Sequence, residues 1–356
     1  KNGSGGNVVI SGGTVTAISD SGAGIGRGIN GAAAHGTFST STDGTTGSAF
    51  IIASSIGNKT NQNNWSGIIF EGNSGKVYGN QTLSADLTIP NGNSLEIPQG
   101  SSLTIPEGVT LTNNGTVQNN GALINNGSIM GGTLGGTGTL GGTGSIIYTA
   151  GDFKLTSESR LTEGIDYTYS NNTLTIKSST PITISMADGV TQTSQDHILV
   201  QNGVTANITL DNVVIQPPDW PEPQNGAIEV LGNGVLNLTI KGTNSLFGYC
   251  GIYVPMIPAD VNAGTVATVA TLKINGGATD SLTAQGKQYS AGIGGRSNSA
   301  CGTVTIEGGI INAIGGDSGA GIGGENFGGC GTVTITGGTV TATSSNAAGI
   351  GGGKNG

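Results

Sequence analysis

One pattern in this sequence returns at a fixed interval. Thr303-Val304-Thr305-Ile306-Glu307-Gly308-Gly309 reappears as Thr332-Val333-Thr334-Ile335-Thr336-Gly337-Gly338, and Ala-Gly-Ile-Gly-Gly recurs from Ala291, Ala320 and Ala348. Near the start, Asn7-Val8-Val9-Ile10-Ser11-Gly12-Gly13 is followed by Ala23-Gly24-Ile25-Gly26, and a degenerate copy spans Leu272–Gly277. A fixed period of 28 or 29 residues predicts a solenoid, because each copy is one unit that buries its apolar side only against its neighbours.

Within a copy the apolar residues alternate: Val304 and Ile306, Ile311 and Ala313, Ala320 and Ile322. Period two is the strand signal, and the intervening Thr residues face outward. Gly-Gly pairs supply the bends. Three short strands per copy predict one rung of a parallel β-helix, with Val8, Val304 and Val333 in one inward column and Ile10, Ile306 and Ile335 in the next. Short parallel strands and hardly any α-helix are expected. Glycine fills 68 of 356 positions but not every third one, which excludes collagen.

A shorter period runs through the middle. Leu87, Leu95, Leu103 and Leu111 lie eight apart, and Val117, Leu123 and Ile129 lie six apart between Asn-Asn-Gly corners, where Asn-Gly is expected to take positive φ. Pro90, Pro98 and Pro106 follow strands, at corners. Residues 147–195 break the pattern with the densest charge cluster and a hairpin closed at Asn171-Asn172. The predicted organisation is β-helix rungs with a long polar loop over 1–80, a short-period β-solenoid over 81–146, a charged β-hairpin excursion over 147–195, and 28–29-residue rungs over 196–356.

The chain opens Lys1-Asn2-Gly3 and closes Lys354-Asn355-Gly356. Overlaying the tripeptides keeps the rung register, so that Val333, Ile335 and Ile350 continue into Val8, Ile10 and Ile25. This predicts a 353-residue unit of a tandem array, a right-handed parallel β-helix (β-solenoid) with a small β excursion, continuous across tandem units. Solenoids that end in solution carry atypical capping rungs, whereas both ends here read as ordinary ones.

At these residues the chain resembles the glycine-rich parallel β-helix surface proteins of Clostridia and related Gram-positive bacteria. The likeness rests on the Thr-Val-Thr-Ile-x-Gly-Gly and Ala-Gly-Ile-Gly-Gly rungs. It extends to Asp166-Tyr167-Thr168-Tyr169, Trp65-Ser66-Gly67-Ile68-Ile69-Phe70 and the Leu-Thr-Ile-Pro block at 87–111. The resemblance implies an extracellular place at the bacterial cell surface, and a carbohydrate-binding label that maps onto no position here.

Side-chain chemistry narrows the reading. A net charge of −9 argues against nucleic acid, and no apolar run is long enough to insert in a membrane. A polysaccharide lyase needs carboxylates clustered in one column of neighbouring rungs, with basic groups beside them. The nearest arrangement, Asp20, Asp317 and Asn346, reads as solvated corners rather than a calcium ladder, so neither cofactor nor enzyme activity is expected. His35 and His197 read as ordinary surface or loop residues. Cys301 and Cys330 share one position in successive rungs, either as an inter-rung disulfide or as two thiols in a column. Trp220 and Asp219 in a proline-rich loop, with Tyr249 and Tyr253, are the candidate carbohydrate contacts. The expected function is a structural repeat unit of a long extracellular fibre or stalk, with identical units as partners. Its alternative is a carbohydrate-binding surface adhesin that engages polysaccharide.

Overall fold

The computed structural model describes residues 6–28, 36–40, 48–59, 62, 65–216, 225–259, 266–296 and 299–356, and none of these is α-helical. The chain is an all-β parallel β-helix, divided into two compact units, Lys1–Tyr148 and Thr149–Gly356.

In the first unit, Val8–Val9 and Thr14–Ala17 pair in parallel with Phe38–Ser39 and Ala49–Ala53, and Ile25 bridges Ile56. These are three sides of two stacked rungs. The register sets Val15 over Ile51 and Ala17 over Ala53, and they pack on a core that includes Ile25, Phe38, Ile51 and Trp65.

The all-parallel expectation first fails here. Gly67–Glu71 pairs with Ala49–Ala53 in parallel, but with Ser74–Tyr78 antiparallel. Gly72, at φ 56, closes this two-residue turn, so the strand direction reverses while the sheet continues on the side of Gly67–Glu71 away from Ala49–Ala53.

Beyond the reversal the rungs are triangular. Leu95, Val117 and Leu134 form one column; Leu103, Leu123 and Leu140 a second; Leu87, Leu111, Ile129 and Ile146 a third. The eight-residue repeat is thus one face plus its corner. Pro90, Pro98 and Pro106 each accept the N–H three residues on, and Gly92, Gly100 and Gly108 at φ 80, 83 and 76 sit third in the turn, where type II geometry demands glycine.

The Asn-Asn-Gly corners work otherwise than expected. Neither their asparagines nor Gly115, Gly121 and Gly127 take positive φ. Glycine is required there for closeness: a Cβ on Gly115 would stand 2.1 Å from the Asn93 carbonyl oxygen. The first asparagine of each corner, Asn113, Asn119 or Asn125, turns inward and stacks on Ile89, Ile97 or Ile105. Asn119 Nδ2 donates to the Thr139 carbonyl at 2.8 Å and Asn125 Nδ2 to that of Ser145 at 3.0 Å, which ties a shortened rung to the next.

The second unit begins with another reversal. Phe153–Ser157 pairs antiparallel with Ile182–Met186. Between them the expected hairpin joins Tyr167–Ser170 to Thr173–Ile176, with Asn171 and Asn172 at φ 48 and 58 as a type I′ turn requires. From there the stacked rungs are parallel, and three inward columns dominate. One runs Leu236, Leu272, Val304, Val333; a second Leu282, Ile311, Val340; a third Ile198, Ile228, Ile252, Ile293, Ile322, Ile350.

Candidate functional site

Two places concentrate unusual features: the outermost rungs, and a buried charged group on the outside of the third column's face.

The columns lose their cover at the last rung. Val304, Ile306, Ile311, Ala313, Ala320 and Ile322 are fully buried, yet one rung on Ile335 is 43% exposed and Ile350 46%. Val333, Val340 and Ala342 are half-buried. The first rung mirrors this, with Val8, Ile10, Val15 and Ala17 half-buried against the rung beyond.

The first and last rungs also share their local architecture. The Ala-Gly-Ile-Gly corner is closed each time by the Ala N–H donating four residues on: Ala23 to Arg27, Ala291 to Gly295, Ala320 to Gly324, Ala348 to Gly352. Gly26 sits at φ 145, beside 136, 137 and 147 for Gly294, Gly323 and Gly351; Gly13 sits at φ 75, beside 85 and 83 for Gly309 and Gly338. Ser19 Oγ accepts the Gly22 N–H at 2.9 Å as Ser344 Oγ accepts that of Ala347 at 3.1 Å. The edges they present are complementary: Ile322 N–H donates onward to Gly349, and Ile25 N–H donates onward to Ser55. The last rung therefore repeats the first in its corner conformation and in the direction of its hydrogen bonds along its own stack.

Among the junction residues, Lys1, Asn2 and Gly3 lie outside the described residues. Lys354 and Asn355 donate their N–H groups to Ser318 and Asn326, and Gly356 donates to Gly353, closing the final corner. Asn355 Nδ2 also donates to Asn326 Oδ1 at 3.0 Å.

The carbohydrate candidates fare differently. Asp219 and Trp220 lie outside the described residues, as does His35. Tyr249 is half-buried. Tyr253 is 9% exposed, under the Arg296 guanidinium at 4.5 Å from its ring centroid, so it is packed rather than offered to solvent. Arg296 reaches over that ring to Glu229, with Nη1 to Oε1 2.5 Å and Nη2 to Oε2 3.3 Å. Glu229 is 4% exposed and also accepts the Gly226 N–H at 2.8 Å. The sequence reading missed this pair, because its partners lie 67 residues apart and meet only through rung register.

The other carboxylates serve as staples. Asp196 accepts from Tyr169 Oη at 2.8 Å and the Asp152 N–H at 2.7 Å, and burial with this hydrogen bond pushes the Tyr169 hydroxyl up to about 12. Asp166 accepts from Ser178, Thr180 and the Thr162 N–H. Burial alone would raise its carboxyl, but these donors and Arg160 hold it below the ordinary value. Asp317 Oδ1 accepts from Asn346 Nδ2 at 2.9 Å, so an amide donor stands where a calcium ladder would place a cation. Asp20 is exposed.

Cys301 is buried, Cys330 exposed, and both are free thiols. Burial raises Cys301 to about 12 and pushes Cys250 and Cys330 up, so none is an activated nucleophile.

His197 heads a strand rather than a loop, with Nε2 3.2 Å from Thr173 Oγ1. Burial holds its imidazole below the ordinary 6.5, and Arg296 adds to this against Glu229 and Asp196. The unfolded chain then binds the proton more readily. Stability from this group is intact above about pH 6.5 and declines as pH falls from there through the lowered folded value. Thermal unfolding between pH 8 and 5 is expected to show this loss in the wild type and less of it in His197→Gln. Parallel profiles for the two chains would remove His197 from the account.

A family model described as Beta helix repeat matches residues 8–26, 304–329 and 333–354, the first rung and the last two. No curated protein and no solved structure matches the chain.

Proposed function

We propose that this chain is a structural, non-enzymatic unit of a long extracellular fibre or stalk, extended by setting the first rung of one unit directly on the last rung of another. The observation that carries this reading is the identity of the two edge rungs in register, corner conformation and local hydrogen bonds. Half-exposed apolar columns beside open strand edges favour association. A contact between different ends of the same unit is heterologous and does not close, which yields filaments. Charged side chains support the same reading, because Glu229, Asp196, Asp166 and Asp317 are committed to holding the fold. Calcium is not needed in this scheme. Placement at a bacterial cell surface rests on the sequence resemblance to glycine-rich surface proteins.

The 356-residue chain should self-associate with rising concentration in sedimentation velocity, and negatively stained samples should show straight filaments one rung stack wide. Val8→Asp with Ile10→Asp should abolish both while leaving the strand-rich circular dichroism spectrum intact. A wild-type chain that stays monomeric at high concentration would count against the fibre, as would filaments indifferent to these charges.

A further inference from the structure

Four rungs turn the same corner two residues past an inward alanine. The residue there is Gly286, Gly315, Ser344 or Ser19, following Ala284, Ala313, Ala342 and Ala17. Register stacks Ala284, Ala313 and Ala342 directly. From that alanine to the one that opens Ala-Gly-Ile-Gly is seven residues in the rungs of Ala284 and Ala313, but six in the last rung and six in the first. The last and first rungs thus share both a serine and a shortened corner.

Ser344 bonds in two directions. Its Oγ accepts the Ala347 N–H at 3.1 Å and donates to the Gly319 carbonyl of the preceding rung at 2.7 Å. Ile322 pairs with Ile350, so Gly319 is the residue aligned with Ala347. Ser19 makes half of this arrangement. Its Oγ accepts the Gly22 N–H at 2.9 Å, and its N–H donates onward to Ser54 Oγ at 3.1 Å. Among the described residues its hydroxyl proton meets no acceptor. A hydroxyl has one proton to give, and in the last rung that proton goes to the rung before.

Setting a first rung on the last supplies the missing acceptor. Ala23 falls over Ala348 and Gly22 over Ala347, so the Ala347 carbonyl takes the place that the Gly319 carbonyl holds for Ser344. The backbone offers a bond in return. Gly286 N–H donates to the Ile314 carbonyl and Gly315 N–H to that of Thr343, both at 2.9 Å, each acceptor standing just before the aligned residue of the next rung. For Ser344 that acceptor is Ile18 of the incoming copy. We infer that Ser19 of an incoming copy donates its Oγ–H to the Ala347 carbonyl while Ser344 N–H donates to the Ile18 carbonyl, a two-way corner that sets the register of the junction and rests on the end-to-end reading.

This corner discriminates where apolar columns do not. A slip of two residues keeps the alternation, so Val8 would stack on Ile335 and the columns would stay apolar. It would also carry Ser19 away from Ala347, which is half-buried already, and cover that carbonyl without a donor. An unsatisfied buried acceptor costs more than a made bond contributes, so the wrong register is the one penalised.

The experiment uses the full chain and reads the end-to-end dissociation constant from sedimentation across a dilution series. Ser19→Ala should weaken association by about three- to tenfold, and Ser19→Thr, which keeps a hydroxyl, should stay within about twofold of wild type. Ser19→Ala also takes the acceptor from Gly22 N–H, so Ser19→Asp separates the two roles. Its carboxylate still accepts that N–H but has no proton to give. It should weaken association at least as much as Ser19→Ala, while its monomer unfolds like the wild type. Wild-type association in Ser19→Asp, or equal weakening by Ser19→Ala and Ser19→Thr, would overturn the hydroxyl bond while leaving filament growth standing. A wild-type chain that never associates would overturn the end-to-end reading and the corner with it.

Discussion

Gly323→Ala is expected to lower the stability of the second unit by about 3 kcal/mol or more, from backbone strain and enforced overpacking together. Gly323 sits at φ 137, a conformation L side chains rarely adopt, and its Cβ would stand 1.9 Å from the Gly351 carbonyl oxygen of the next rung. The corner cannot relax freely, because Gly324 N–H donates to that same residue at 2.9 Å. Gly203→Ala isolates the conformational part. Gly203 takes φ 74, and a methyl group there would meet nothing within 4 Å, so its cost should stay near about 1–2 kcal/mol. Urea unfolding of both variants measures the difference, and equal midpoints would mean the rung corner yields easily. Gly351 adds a sharper case. At φ 147 its Cβ would crowd the Ala348 methyl at 2.9 Å in the free chain, less severely than the 1.9 Å approach to a carbonyl oxygen at Gly323. Under an incoming rung it should meet a carbonyl as Gly323 does, so Gly351→Ala should impair association more than folding.

Much of the fold was legible because a solenoid writes its three-dimensional period into its sequence. Val304 over Val333 and Leu111 over Leu87 follow from counting residues. Strand direction does not. Alternation reads the same along either direction of a chain, so the reversals after Glu71 and after Ser157 left the apolar pattern intact. The Gly72-Asn73 turn between two alternating runs was the available signal. The Asn-Asn-Gly corners misled for a related reason: composition identified tight bends, but whether glycine serves φ or close approach depends on the neighbouring rung. Tyr253 was grouped with Trp220 by nearness in sequence, which does not show that Arg296 covers its ring from another rung.

Glu229→Ala is expected to cost about 3–5 kcal/mol, the penalty for stranding one half of a buried pair. The Arg296 side chain is 18% exposed and that of Glu229 6%, so water screens the pair little. Removing the carboxylate leaves the guanidinium over Tyr253 without its counter-charge and the Gly226 N–H without its acceptor. Glu229→Gln restores an acceptor but no charge and should fall between Ala and wild type. The informative chain is Glu229→Leu with Arg296→Met, which removes both charges and keeps apolar bulk over the ring. It should recover most of the loss, because an intact buried pair contributes little net stability against a well-packed apolar replacement. If the double variant is instead as unstable as Glu229→Ala, the pair stabilises the fold outright rather than specifying which rung corner lies over which. Recovery would mean that the pair chiefly penalises wrong stacking.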